Sequence, residues 1–263
     1  MESIPDSIFN LRLNIELKRI IWIEVRSRRM IELSIVIPVY NEEKNIGRLI
    51  GECQTYFDRT GRSYELILVD DGSEDRSSEK IRELCSEKVH LVTLDRNRGK
   101  GYAVRRGVLA SRGRMVFYTD SDLAYGLDVI LKMAEILEAG ADLILGSRNL
   151  QSGGYGDYPF IRTLASRIYS WIITMVSGAD YDTQCGIKGF RKDCAARLFE
   201  QVQTEGYAFD LEVILLAEKA GMTIREYPVT ILQQGDSSVN LLRSSASMLR
   251  DVTRIRKRIS RMP

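Results

Sequence analysis

An alternation of short apolar runs with helix-like stretches between residues 33 and 145 constrains this chain more than any other feature. The first run, Leu33–Val39, is apolar and β-branched, as expected for a buried parallel strand. After it, apolar residues recur at helical spacing from Ile46 to Phe57. Strands that alternate with helices predict an α/β fold, a Rossmann-like and mostly parallel sheet with helices on both faces.

The same reading places elements along the whole chain. The predicted strands are Leu33–Val39, Glu65–Val69, His90–Leu94, Met115–Thr119, Asp142–Leu145 and Thr223–Thr230. The predicted helices are Ile46–Phe57, a segment after Asp75 with Ile81, Leu84 and Cys85, then Tyr102–Ala110, Leu127–Ala139, Ile161–Val176 and Asp210–Ala220. Asn41 is expected to cap the first helix, because its side chain can accept from backbone N–H groups there. Gln151–Pro159 is predicted to be a loop, and Asp182–Phe190 a compact motif of unassigned structure.

Three regions follow from this pattern. Residues 31–240 are predicted to form the folded domain. Residues 1–30 mix apolar and basic side chains and are predicted to form an amphipathic extension; alternatively, Met30 is the natural start and the upstream part is dispensable. Residues 241–263 carry seven Lys or Arg against the single acid Asp251. This basic helix or tail either attracts an anionic membrane surface, at ~1 kcal/mol per charge, or is simply solvated.

Composition excludes some classes of function. The net charge of +2 gives no reason to expect nucleic acid as a partner. The four cysteines lack CxxC spacing, so neither a zinc site nor a disulfide framework is indicated, and the set fits a reducing cytoplasm. Cys53 and Cys85 are expected in the core, and the single histidine, His90, is expected to be structural. No run approaches the ~18 apolar residues of a spanning helix.

Polar clusters follow four of the predicted strands. They are Pro38-Val39-Tyr40-Asn41-Glu42, Asp70-Asp71-Gly72-Ser73, Asp120-Ser121-Asp122 and Gly146-Ser147-Arg148. In parallel α/β sheets, ligands bind in the crevice beyond the carboxyl ends of the strands. The four clusters are therefore predicted to converge on one site.

Asp120 and Asp122 suggest the chemistry of that site. Carboxylate oxygens suit a hard cation such as Mg²⁺ or Mn²⁺, and few protein ligands are needed when a diphosphate supplies the others. Such a cation would neutralise the charge that builds on a departing nucleoside diphosphate. Asp-X-Asp alone is a weak signal, but its position after a buried strand and beside the other clusters favours a metal-dependent nucleotide site.

The Gly99-Lys100-Gly101 segment is similar in composition to two phosphate-binding motifs. A dinucleotide fingerprint would need glycine at position 104, where Val104 stands. A P-loop would need Ser or Thr after Lys100, where Gly101 stands. Both motifs are excluded. The segment is predicted to open a helix near a diphosphate, with Lys100 as a phosphate contact.

Taken together, these motifs resemble the inverting glycosyltransferase family 2, of GT-A fold. The resemblance covers residues 33–255 and rests on the first three clusters and Asn97-Arg98-Gly99-Lys100-Gly101. Two later segments resemble dolichyl-phosphate β-glucosyltransferases and related polyisoprenyl-phosphate hexosyltransferases. They are Asp182-Thr183-Gln184-Cys185-Gly186-Ile187-Lys188-Gly189-Phe190 and Tyr207-Ala208-Phe209-Asp210-Leu211-Glu212.

The resemblance implies transfer of a hexose from a nucleotide sugar to a polyisoprenyl phosphate, dolichyl or undecaprenyl. It implies an enzyme peripheral on the cytoplasmic membrane face. UDP-glucose is favoured as donor and GDP-mannose comes next, because Leu123-Ala124 follows Asp122 where mannosyltransferase-type members often carry Leu-Gln.

The resemblance also assigns roles to residues. Base and ribose fall to Pro38, Tyr40, Glu42 and Asp70 or Asp71, and the nucleotide sugar also to Lys100 and Ser121. Asp120 approaches the ribose and the metal, Asp122 binds the metal, and Arg148 contacts phosphate. Arg162, Arg167 and Lys188 are the candidates for holding the acceptor phosphate.

The acceptor decides whether a general base is needed. A lipid monophosphate has a second pKa near ~6 and is already anionic at neutral pH, so it needs none. A sugar hydroxyl would need one, and Asp182 and Asp210 are the candidates, each equally open to a helix-capping or buried structural role. Two alternatives therefore stand: a family 2 transferase acting on a hydroxyl in polysaccharide or glycolipid synthesis, and a silent nucleotide-sugar-binding subunit docked on a membrane-protein partner.

Overall fold

The computed structural model describes residues 30–150, 181–232 and 251–262. Several predictions lie outside these residues: the amphipathic extension before Met30, the loop Gln151–Pro159, the helix Ile161–Val176 with Arg162 and Arg167, and the first part of the basic C-terminal region. The proposed division into three regions therefore stays a prediction.

A seven-stranded sheet forms the centre of the described chain. Its strands are β1 (Leu33–Val39), β2 (Tyr64–Asp70), β3 (Val89–Thr93), β4 (Met115–Tyr118), β5 (Leu143–Ser147), β6 (Lys188–Arg191) and β7 (Ile224–Pro228). The strand order is β3-β2-β1-β4-β6-β5-β7. All neighbours are parallel except β6, which runs antiparallel to β4 and β5. The predicted α/β architecture with a mostly parallel sheet is confirmed.

Helices cover both faces of the sheet. They are α1 (Ile46–Asp58), α2 (Ser77–Glu83), α3 (Lys100–Ala110), α4 (Asp128–Glu138), α5 (Lys192–Gln201) and α6 (Phe209–Lys219), followed by α7 at residues 251–259. Neither β6 nor α5 is predicted from the sequence. The segment before them has too few regularly spaced apolar residues to distinguish strand from helix, and β6 is only four residues long.

Two apolar layers hold the sheet between the helices. Because side chains alternate along a strand, Ile35 and Ile37 of β1 enter one layer while Val36 enters the other. The first of these layers includes buried residues of α1 and α4, and the second includes those of α3, α5, α6 and α7. Burial on both faces explains why β1 and β2 read as continuous apolar runs.

Two local predictions were wrong. Asn41 does not cap α1: it takes a left-handed conformation with φ of 55°, and its side-chain oxygen accepts from the backbone N–H of Glu74 at 2.8 Å. The helix begins at Ile46, and its N-cap residue is Asn45, four residues after Asn41. Cys85 is exposed because α2 ends at Glu83, whereas Cys53 is buried as predicted.

Within the described ranges, none of the helices has the length and apolar character needed to cross a membrane.

Candidate functional site

The loops after β1, β2 and β4 are tied together at the carboxyl edge of the sheet. The backbone N–H of Asn41 donates to the Ser73 hydroxyl at 3.0 Å, which joins the first two loops. The Ser121 hydroxyl donates to Glu42 Oε1 at 3.2 Å, which joins the third. Three of the four predicted clusters thus meet, because parallel strands end at the same edge. Tyr40, a predicted nucleotide contact, is 41% exposed at this edge, and Pro38 is half-buried in β1.

Asp120 and Asp122 lie directly after β4, on the loop that begins where the sheet ends. Asp122 Oδ1 accepts from the backbone N–H of Ala124 at 3.1 Å. Burial and the neighbouring charge of Asp120 raise the pKa of Asp122. The pair therefore carries unfavourable negative charge that a divalent cation would relieve.

Lys100, at the start of α3, reaches Asp120. Its Nζ lies 2.5 Å from Asp120 Oδ1, and 16% of the Lys100 side chain is exposed. Burial by itself lowers the pKa of Lys100, but Asp120 and Asp210 more than compensate, and the net shift is upward. Lys100 is therefore a charged group beside Asp120, and its contact with a phosphate stays a prediction.

The glycines around Lys100 allow close backbone packing. Gly99 has φ of +103°, and a Cβ there would lie 2.7 Å from the Glu205 carbonyl oxygen. A Cβ on Gly101 would lie 2.6 Å from the Thr204 carbonyl oxygen. The Gly99-Lys100-Gly101 segment does not match a dinucleotide fingerprint. Its glycines instead allow close packing, which fixes the backbone of Lys100.

Asp71 holds the loop before α3 through two hydrogen bonds. Its two carboxylate oxygens accept the backbone N–H groups of Arg98 and Gly99, each at 2.8 Å. Asp71 is buried, and Asp70 is buried beside it with Oδ1 accepting from the Ser73 N–H at 3.0 Å. The two aspartates, predicted as base or ribose contacts, are engaged here in shaping the loops. Their contacts with a nucleotide stay a prediction.

Arg148 and Asp182 form a buried ion pair. Nε and Nη2 of Arg148 each donate to Asp182 at 2.8 Å, and the Arg148 backbone N–H donates at 2.9 Å. Desolvation would raise the pKa of Asp182, but the guanidinium outweighs it and holds that pKa below its usual value. Asp182, predicted as a candidate base, therefore has a structural partner and lowered basicity. Arg148, predicted to contact phosphate, is committed to that carboxylate.

Asp210 and Lys188 form a second buried pair. Lys188 is fully buried, and its ammonium donates to Asp210 at 2.6 Å and to the Cys185 carbonyl at 2.7 Å. The Tyr118 hydroxyl also donates to Asp210 Oδ1. These contacts do not fit the predicted role of Lys188 at the acceptor phosphate, because its ammonium faces the interior. The second candidate base, Asp210, is likewise engaged.

Gly186 was not singled out by the sequence analysis, although it belongs to a quoted motif. A Cβ at this position would lie 2.0 Å from Asp120 Oδ2, so Asp120 packs directly onto the Gly186 backbone. Tyr118 was also missed, because an aromatic residue in a strand normally indicates core. The antiparallel direction of β6 brings the Asp182–Phe190 segment to the end of β4, where Asp120 follows. The register of β6 pairs Lys188 with Tyr118.

The carboxylate pair fits a Mg²⁺ or Mn²⁺ ion. It offers hard oxygen donors at one point of the carboxyl edge, and their mutual repulsion favours a cation. In the described part of the chain, no group of three or more His, Cys, Asp or Glu side chains is arranged to hold a metal. Further ligands would therefore come from a diphosphate and water.

Comparison with protein families identifies the scaffold. Residues 34–200 match the model of glycosyl transferase family 2. The chain belongs to glycosyl transferase family 2. A dolichyl-phosphate β-glucosyltransferase of Mus musculus is 33% identical over 245 residues, which cover 86% of this chain and 75% of the relative. The predicted family and the assignment as a hexosyltransferase are thereby confirmed.

Solved structures agree on the fold of this family 2 transferase. Glucosyl-3-phosphoglycerate synthase from Mycobacterium tuberculosis superposes with a TM-score of 0.64 at 21% identity, covering 90% of this chain and 83% of that one. Another structure of that enzyme, with a TM-score of 0.61 at 18% identity, covers 90% and 82% and was solved with Mn²⁺, UDP-glucose and phosphoglyceric acid. These likenesses show the GT-A fold.

Proposed function

We propose that this transferase moves glucose from UDP-glucose to a polyisoprenyl phosphate and inverts the anomeric centre. The observation that carries the proposal is the match across most of the chain to relatives named dolichyl-phosphate β-glucosyltransferase, including one 33% identical. The structural neighbour solved with UDP-glucose and Mn²⁺ supports the donor and the cation. Mg²⁺ is the alternative cation, and GDP-mannose the next donor to test.

The reaction can proceed without a general base. One phosphate oxygen of the lipid, already anionic at neutral pH, attacks the anomeric carbon. The bond from that carbon to the diphosphate breaks, and UDP leaves with the electron pair. Attack opposite the leaving group converts an α-linked donor into a β-linked lipid product. The protein must bring two anions together, which requires fixed positive charge and correct positioning.

Asp120 and Asp122 would hold the cation, which when bound neutralises negative charge on the diphosphate. Ser121 and Glu42, joined at 3.2 Å, keep this loop against the loop after β1. Pro38 and Tyr40 lie at the carboxyl end of β1, at the same edge of the sheet, where we place the nucleotide. Acceptor-phosphate contacts are proposed for Arg162 and Arg167, which lie outside the described residues.

A lipid phosphate acceptor is favoured over a sugar hydroxyl by the engagement of both candidate bases. Asp182 is paired with Arg148 and has a lowered pKa, which makes it a poor proton acceptor. Asp210 already accepts from Lys188 and Tyr118. A hydroxyl acceptor would require one of these aspartates to leave its partners, whereas a phosphate acceptor requires neither to move.

We further propose that the enzyme works as a peripheral protein on the cytoplasmic membrane face, alone or with a membrane-protein partner. A polyisoprenyl phosphate resides in a bilayer, so the active site has to approach one. Helix α7 packs Val252, Ile255 and Ile259 into the core and turns a basic face outward. That face is a suitable contact for anionic headgroups.

The decisive experiment is a transfer assay with radiolabelled UDP-glucose, Mn²⁺ or Mg²⁺ and a polyprenyl phosphate, followed by extraction into organic solvent. Label is expected in the lipid phase, and parallel reactions with GDP-mannose test the donor. Extracts that stay unlabelled with every donor and cation would overturn the proposal. A soluble oligosaccharide acceptor in a matched reaction tests the hydroxyl alternative directly.

Asp122→Ala is the matched variant for the assigned metal ligand. It is expected to reduce transfer by roughly a thousandfold or more, since it removes a carboxylate at the point where transition-state charge is stabilised. Glu87→Gln changes an exposed acid at the opposite end of the sheet and serves as control. Metal-dependent activity retained by Asp122→Ala would refute its assignment.

A further inference from the structure

We propose that Lys100 is a tethered counter-ion, which holds Asp120 until the divalent cation and the nucleotide diphosphate arrive together and displace it. The proposal rests on the proposed function, because it takes Asp120 to be a metal ligand. It goes further by giving the enzyme a means to discriminate against free metal. Lys100 would make cation binding depend on the nucleotide.

The first support is the contact itself. Lys100 Nζ lies 2.5 Å from Asp120 Oδ1, while Asp120 Oδ2 faces Gly186, where a Cβ would be only 2.0 Å away. Neither oxygen of Asp120 is therefore open on all sides. A divalent cation needs a lone pair of this carboxylate, and the ammonium is paired with Oδ1, the oxygen that does not face Gly186.

The second support is that the ammonium can leave without losing all its partners. A Cβ on Gly101 would lie 2.7 Å from the Phe209 Cβ, so Asp210, the next residue, is a second carboxylate near the start of α3. A diphosphate bound at the carboxyl edge would add further negative charge. When the cation takes Asp120, Lys100 exchanges one anion for another, so its charge stays compensated.

The third support is that the backbone below Lys100 is fixed while its side chain is long. Asp71 accepts from Arg98 and Gly99, and the Tyr102 N–H donates to the Glu205 carbonyl at 3.1 Å. The glycines on both sides of Lys100 pack against backbone atoms of the segment before α6. Four rotatable side-chain bonds thus extend from a rigid base, and displacement requires only a change of rotamer.

Two other roles for Lys100 would change Mn²⁺ binding differently from the proposed one. If Lys100 were only a fixed phosphate contact, removing it would weaken UDP binding and leave the affinity for Mn²⁺ unchanged. If it served only to hold Asp120 in place, removing it would weaken Mn²⁺ binding. A tethered counter-ion predicts the opposite sign, because a positive charge that competes with the cation is lost.

The test measures Mn²⁺ binding by electron paramagnetic resonance of the free ion, without acceptor and with or without UDP. Lys100→Met is expected to bind Mn²⁺ alone on the order of tenfold more tightly than the unaltered chain. UDP increases the Mn²⁺ affinity of the unaltered chain, and this increase should be smaller in Lys100→Met by a similar factor. The reason is that neither ligand has to displace Lys100 in the variant. Lys100→Arg retains the charge and should restore the affinities of the unaltered chain.

Lys88→Met is the matched control. Lys88 forms an equally close pair, 2.6 Å from Asp58 Oδ1, before β3 at the opposite end of the sheet. It should leave Mn²⁺ binding unchanged. Equal or weaker binding of Mn²⁺ by a folded Lys100→Met protein would overturn the inference. Failure of the unaltered chain to bind Mn²⁺ even with UDP would instead contradict the proposed metal-dependent function.

Discussion

At the scale of single residues, the close contact between Asp120 and Gly186 leaves no room for a larger residue at position 186. Asp120 lies against the backbone of Gly186 because that residue has no Cβ, and Lys100 pairs with its other oxygen. Asp122 is anchored separately through Ala124. The position of Asp120, a proposed metal ligand, therefore depends on a residue that belongs to another motif and carries no reactive group.

Gly186→Ala tests this dependence. The new Cβ would lie 2.0 Å from Asp120 Oδ2 and must push that short side chain away. We expect Mn²⁺ affinity in the presence of UDP to fall by roughly tenfold to a hundredfold, or about 1.4–2.8 kcal/mol. Isothermal titration calorimetry measures the change.

Gly51→Ala provides the comparison, because a Cβ on this helical glycine meets nothing within 4 Å. This change should leave Mn²⁺ binding as it is and stabilise the fold by roughly 0.5–1 kcal/mol. Unaltered Mn²⁺ affinity in Gly186→Ala would mean that Asp120 is not positioned by this contact.

At the scale of elements, the Arg148–Asp182 pair joins the residue after β5 to the segment that leads into β6. Both side chains are almost fully buried, at 9% and 0% exposure. The connection matters because the antiparallel β6 brings Gly186 and Lys188 to the carboxyl edge. A buried pair of this kind is weak evidence for net stability, but breaking it leaves an uncompensated charge inside the protein.

Asp182→Asn is expected to lower the free energy of unfolding by about 3–5 kcal/mol, because Arg148 stays buried without its counter-ion. The folded pKa of Asp182 is lowered, so its stabilisation is present above the unfolded pKa of ~3.9 and is lost as pH falls through the folded pKa. The difference between variant and unaltered chain should therefore stay constant from neutrality down to about pH 4 and shrink as the pH falls further.

Urea unfolding followed by circular dichroism at several pH values measures this difference. Asp193→Asn removes the exposed partner of Arg191 and should leave the unfolding free energy nearly unchanged. A difference that stays constant with pH would show that the Asp182 carboxylate does not supply the stabilisation.

At the scale of the whole molecule, the helices on one face of the sheet connect the site to the chain end. Helix α7 is held against α6 by Arg258, which donates to Glu212, while Glu212 also accepts from the backbone N–H of Thr204 at 2.7 Å. The Lys219 ammonium donates to the Ile259 carbonyl at 3.0 Å. The orientation of α7 follows from these contacts, and its outward side chains are presented on a fixed surface.

The triple change Arg254→Gln, Lys257→Gln and Arg261→Gln tests the proposed membrane contact. Each outward charge near anionic lipid contributes ~1 kcal/mol, so partitioning onto phosphatidylglycerol vesicles should weaken by roughly a hundredfold. Vesicle sedimentation measures this, and raising the salt concentration should weaken binding of the unaltered chain.

The control changes Arg48, Arg76 and Lys132 to Gln, three exposed cations on or directly before the helices of the other sheet face. If these two triple variants lose equal binding, net charge rather than the α7 face is responsible. Binding that neither variant alters would exclude α7 as the contact surface.

The sequence by itself determined the α/β fold, the parallel strands and the edge at which Asp120 and Asp122 stand. These features depend on local periodicity and on the rule that parallel strands end together. It also allowed the family to be inferred from motifs that are short and contiguous, such as Asp120-Ser121-Asp122.

Tertiary structure alone decided which polar residues are available. Asp182 and Arg148, predicted as a candidate base and a phosphate contact, are 34 residues apart in sequence and bind each other. Lys188 looked like an acceptor contact, yet it faces inward to Asp210, 22 residues away. Partner choice among distant charges depends on burial and strand direction, which no local pattern records. The same long-range packing places Lys100 on Asp120.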